Sequence, residues 1–125
     1  MSGAINWFEI PVVDLDRAQR FYQTILEKQL KRETFAGMPM AVFEYSNGCV
    51  GGALVKMKGR EPSVHGGLGY LDCGQALEAV LARVPSAGGK VVVPLTDIGA
   101  PGFIAIIVDS EGNSVGLHSP KKPAA

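Results

Sequence analysis

Residues 5–26 read I-N-W-F-E-I-P-V-V-D-L-D-R-A-Q-R-F-Y-Q-T-I-L. Residues 5–13 are β-branched and aromatic with little polar alternation, the pattern of a strand covered on both faces. The remainder is a helix. Asp14 suits its N-cap and Asp16 its first turn, while Ala18, Phe21, Tyr22, Ile25 and Leu26 form one apolar stripe. Further strands are expected at residues 29–35, 41–45 and 50–57, the last two joined by the turn Ser46-Asn47-Gly48.

Residues 58–63 are polar, carry Gly59 and Pro62, and read as a linker. Beyond them the same order recurs. A short strand is expected at residues 67–73 and a helix at 75–84, with Leu77, Val80, Leu81 and Val84 on one face and Pro85 and Gly88-Gly89 as its stop. Strands at 90–94, 103–108 and 114–118 complete the second set, the last two joined by Asp109-Ser110-Glu111-Gly112-Asn113. A βαβββ unit of about 60 residues therefore occurs twice. One unit alone leaves an apolar sheet face bare, so the halves pack on one another or on a second chain.

Composition narrows the classes. Twelve basic and twelve acidic residues cancel, which removes the field that draws nucleic acid or an anionic membrane. The apolar runs are strand-length, far short of a membrane span. The start M-S-G-A-I-N-W-F-E-I has no signal-peptide pattern. Cys49 and Cys73 offer neither a disulfide framework nor zinc spacing. A cytoplasmic protein with no nucleic-acid or membrane partner is the expectation. Residues 120–125 read as a flexible tail.

The run F-E-I-P-V-V-D-L-D-R-A-Q-R-F-Y resembles the opening of vicinal oxygen chelate proteins, the glyoxalase/bleomycin-resistance/dioxygenase superfamily. A-G-G-K-V-V-V-P and G-F-I-A-I-I-V-D-S-E-G-N-S-V-G-L-H resemble the end of the same domain. The resemblance covers residues 3–119. It implies an α+β fold of two modules, about 3–57 and 66–119, forming a curved mixed sheet around a cavity, and a homodimer. Metal-dependent members take His/Glu ligands from the first and last strands of each half. Carried over by position, these fall at Trp7, Ala53, Gly67 and Gly116, none of which can ligate a divalent ion. The expectation is a protein with no cofactor.

Glu9, His65 and His118 each lie two residues from a vacated position and so share its face. A displaced metal site from these three is conceivable, but two residues along a strand span about 6.6 Å and metal–ligand bonds about 2 Å. Glu9 is either a general base in a poorly solvated pocket or a structural carboxylate. His118 is either an acid or anchor for the same chemistry, or a strand-end histidine facing water. Trp7 is either core or a stacking wall, with Gly67 and Gly116 giving room beside it. Phe43 and Tyr45 alternate with Val42 and Glu44, and one member of each set is expected to face the cavity; Trp7, Phe43, Tyr45, Ala53, Gly67 and Gly116 are the candidate ligand contacts. Met38 and Met40, with Gly37 and Pro39, form a candidate lip, and residues 95–102 a candidate lid. Three functional readings follow from the resemblance. They are a metal-independent small-molecule binder with a lyase or isomerase step next to a carbonyl, a non-catalytic drug-sequestering protein, and a metal-dependent glyoxalase or dioxygenase with shifted ligands.

Overall fold

The computed structural model describes residues 4–46 and 48–121. The first half forms β1 (Trp7–Pro11), α1 (Leu15–Leu26), β2 (Leu30–Phe35), β3 (Met38–Phe43) and β4 (Gly51–Val55). The second forms β5 (Tyr70–Asp72), α2 (Leu77–Ala87), β6 (Lys90–Asp97), β7 (Phe103–Val108) and β8 (Ser114–Ser119). The expected α+β architecture of two βαβββ modules is the one observed. Its eight strands form two four-stranded sheets, ordered β1-β4-β3-β2 and β5-β8-β7-β6, in place of one continuous sheet. In each, the first strand runs parallel to the fourth and every other pairing is antiparallel. The parallel pairing follows from the crossover through the helix.

Local chemistry explains the boundaries, including those the sequence misplaces. The Asp14 side chain accepts from the Arg17 amide at 3.0 Å and caps α1. Ala36 and Gly37 both adopt left-handed backbone, so a two-residue hairpin turn links β2 to β3. Met38, Pro39 and Met40 therefore belong to β3 and are not a loose lip. α2 continues through Pro85 to Ala87 and is ended by Gly88, whose left-handed φ of 108° suits glycine. β6 extends to Asp97 because register shifts on either side of Val93 leave Pro94 unpaired. The candidate lid accordingly shrinks to residues 98–102. β5 begins only at Tyr70, leaving Gly67 in the preceding loop. Of the expected flexible tail, Lys121 is held against the body, 2.7 Å from Asp97 and over the Phe103 ring; residues 122–125, like Asn47 in the first turn, lie outside the described residues.

One core serves both modules. Phe21, Tyr22 and Ile25 of α1, Leu77, Val80 and Val84 of α2, Leu54 of β4 and Ala105, Ile107 and Leu117 of β7 and β8 form a single buried cluster. The helices pack on each other beneath the two sheets. Polar contacts tie the modules at one seam. Tyr22 donates to Asp109 at 2.6 Å, and the Asn113 side-chain amide donates to the Pro11 carbonyl at 2.7 Å. The Glu111 side chain, fully buried, accepts from the backbone amides of Val13 and Asp14 and from the Arg17 guanidinium, all within 3.0 Å. The turn from Asp109 to Asn113 in the second module is thus the clasp on the start of α1 in the first.

Candidate functional site

Strand alternation gives each sheet one face against the helices and one open face. In the first sheet, Leu30, Ala41 and Leu54 point to the core, while the neighbouring row across the strands is Glu9, Ala53, Val42 and Lys31. Trp7 precedes Glu9 on the same face and lies opposite Gly51. A Cβ at Gly51 would collide with the rings of both Trp7 and Tyr45, so glycine is what lets the two aromatics close over the strand. Their centroids are 6.0 Å apart with planes at 80°, an edge-to-face pair. The Trp7 indole donates to the Glu9 carboxylate at 3.3 Å. Glu9 is exposed, so neither a poorly solvated pocket nor a buried structural role describes its surroundings.

The second sheet repeats the device. Tyr70 lies opposite Gly116, where a Cβ would again strike the tyrosine ring. The next row is Asp72, His118, Ile104 and Thr96. The His118 Nε2 is 2.6 Å from the Pro101 carbonyl, which engages that nitrogen and fixes the 98–102 loop over the strand end. Tyr70 was not singled out from the sequence. The signal was the G-Y pair entering β5, matching an aromatic opposite glycine in β1 and β4.

Sequence-expected residues thus divide between two open faces. Trp7, Glu9, Tyr45 and Ala53 share the first; Gly116 and His118 share the second. Phe43 does not belong with them. It pairs with Leu30 and packs against Tyr22, centroids 5.6 Å apart, and against Phe8, so it turns to the core. The reason is register: with Val42 beside Ala53 on the open face, Phe43 must point the other way. Tyr45 escapes that rule because it lies beyond the end of β3. Gly67 and His65 are exposed in the loop before β5. No hydrogen bond or ion pair connects Glu9 with His118. Among the described residues no three His, Cys, Asp or Glu side chains gather as a metal site requires. The residues at the family's ligand positions do not fit a divalent ion: Ala53 is buried opposite Glu9, Gly116 is covered by Tyr70, and Trp7 is an indole.

The cysteines are unpaired, Cys49 exposed and Cys73 buried. Burial pushes the Cys73 thiol up to about 11, which makes it a poor nucleophile at neutral pH. Two surface hollows, of about 700 and 490 Å³, lie at the start of α1 and along the linker, away from both open faces.

The model of the Glyoxalase/Bleomycin resistance protein/Dioxygenase superfamily matches residues 4–117. The chain belongs to this family. Among solved structures it is similar to a glyoxylase/bleomycin resistance protein/dioxygenase domain from Frankia sp. EAN1pec, at 18% identity over 99% of this chain and 96% of that one, TM-score 0.71. A glyoxalase/bleomycin resistance protein from Albidiferax ferrireducens T118 is similar at 14% identity, over 97% of this chain and all of that one, TM-score 0.72. TnmS3, an antibiotic binding protein from Streptomyces sp. CB03234, is similar at 20% identity, over 96% and 98%, TM-score 0.66. These likenesses show a shared fold. No curated protein matches the chain.

Proposed function

We propose that the chain is a metal-independent small-molecule-binding protein that sequesters a planar or aromatic ligand. The observation that carries this reading is the Trp7–Tyr45 edge-to-face pair, standing at the edge of the first sheet's outer face beside an exposed carboxylate. Tyr45 is 53% exposed, so part of its ring is open to a ligand. Such a surface stacks a flat apolar group and offers Glu9 to a donor or cation on it. The family membership and the fold shared with an antibiotic binding protein support the same class.

In this reading the working unit is a homodimer in which a second copy covers the open faces, because a lone sheet face encloses no ligand. The unpaired cysteines suit a reducing cytoplasm. An enzymatic role next to a carbonyl has less support, since Glu9 and His118 are not joined and His118 Nε2 is engaged by a backbone carbonyl.

Trp7 is the only tryptophan, so its emission reports this face directly. Planar antibiotics should quench it saturably, Tyr45→Ala should weaken the quenching, and no turnover should accompany it. Turnover of small oxo-acids that is lost in Glu9→Gln would instead establish the enzymatic reading. Elemental analysis finding near-stoichiometric zinc, nickel, iron or manganese would overturn metal independence. Sedimentation showing only a 13.2 kDa species at micromolar concentration and above would reject the dimer.

A further inference from the structure

The geometry points to a second binding site, separate from the sheet faces, for a small amphipathic anion: a carboxylate or phosphate monoester with an apolar chain. The site is the 700 Å³ hollow where the linker passes the start of α1; it shares Val13, Pro39 and Lys56 with the 490 Å³ hollow beside it. That volume is room enough for a ligand of drug-like size, which would lie partly open to solvent. The lining combines apolar surface from Val12, Val13, Pro39 and Met57 with the cations Lys56, Lys58 and Arg60.

The charge balance gives the ligand its sign. Arg17 is neutralised by Glu111 at 2.7 Å, and Arg32 by Asp16 at 2.7 Å. Asp14 is occupied as the helix cap, and every acceptor direction of Glu111 faces the seam. Lys56, Lys58 and Arg60 form no ion pair among the described residues; Glu61 is the one carboxylate lining this hollow without a counter-charge, and Asp14, bonded only by a neutral amide, lines only the neighbouring hollow. Three free cations against one free anion leave this hollow positive in a chain of zero net charge.

The backbone that carries the cations is shaped by a turn, while their side chains are exposed. A tight turn brings the Arg60 amide to the Met57 carbonyl at 3.1 Å, with Gly59 at a φ of 87° that a side chain would resist. Lys56 and Lys58 lie two apart, on either side of Met57, so the charges border an apolar floor. An anion with a short alkyl chain matches both features.

Calorimetry on the full chain, with octyl phosphate below its micelle concentration, tests the inference. Saturable binding is expected, at least about tenfold tighter than that of inorganic phosphate or octyl glucoside, and weakened by added salt. Octanoate should compete for it, which separates a general anion site from a phosphate-specific one. The double variant Lys58→Glu/Arg60→Glu should lose about tenfold or more in affinity with an unchanged melting temperature, because both side chains are exposed. The milder Lys58→Gln/Arg60→Gln should lose less, and Trp7→Ala should bind as the parent does. Absence of saturable binding, equal affinity for octyl glucoside, binding only above the micelle concentration, or loss through Trp7→Ala in place of the linker variants would each overturn it.

Discussion

The two modules share a topology and treat their open faces differently. In the first, Met40, Val42, Ala53 and Val55 are all buried, with Trp7 and Met38 packed beside them, so a small second core lies outside the main one. In the second, Ile104, Ile106 and Val108 occupy the equivalent face and remain only half-buried, and Tyr70 is 47% exposed. The first module covers its outer face with its own side chains and leaves a localised aromatic edge. The second leaves a broad apolar strip. A repeated fold therefore does not imply a repeated surface: the first face ends in an aromatic edge, the second in a half-buried apolar strip.

That contrast can be broken most decisively by charge. Val42→Asp places a carboxylate in the closed second core and should cost about 3 kcal/mol or more, read as a lower urea midpoint. Ile106→Asp on the other face should leave the monomer folded and shift sedimentation toward the monomer. Unfolding in both variants would erase the distinction. The seam offers the next largest effect. Glu111→Ala removes the acceptor of two amides and of a half-exposed guanidinium and should cost about 1–3 kcal/mol.

Acid sharpens the same point. Burial alone would raise the Glu111 carboxyl, but hydrogen bonds from Arg17 and from the Asp14 and Val13 amides outweigh it and bring it from 4.5 to about 2. A carboxyl lowered in the folded state stabilises fully above its unfolded value, and that contribution is lost as pH falls from about 4.5 toward 2. Glu111→Gln should flatten the stability slope in that window. A slope identical to that of the parent would place the acid sensitivity elsewhere.

Smaller effects test the aromatic edge. Trp7→Ala should cost less than the roughly 3–5 kcal/mol of a fully packed aromatic, because the indole is only partly buried. Glu9→Gln, at an exposed carboxylate, should stay within about 0.5 kcal/mol. Large losses in both, with no ligand found, would return this edge to the core and remove the binding reading.

Much of the fold was legible because hydrophobic period and turn chemistry are local. The stripe Ala18, Phe21, Tyr22, Ile25 needed no tertiary information, and β7 was bounded at Phe103–Val108 from its apolar run. Boundaries failed where pairing overrode local signals: Pro39 was carried into β3 by its hairpin partner, and Pro94 into β6 by register shifts. At the candidate site, the shared face of Trp7 and Glu9 followed from their spacing of two. Phe43 could not be separated from Tyr45 by spacing alone, since both have the same parity and only the end of β3 frees Tyr45.

By itself the sequence determined the two-module α+β fold and the amphipathic helices that build the core. These depend on residue type and on neighbours a few positions away, where alternation and helical period act directly. Tertiary structure alone decided the rest. It split the strands into two sheets, gave Tyr70 the role opposite Gly116, buried Glu111 in the clasp and left Lys56, Lys58 and Arg60 without an ion pair among the described residues. Each of these is a relation between residues distant in the chain, and pairing, burial and charge balance exist only once the chain has closed on itself.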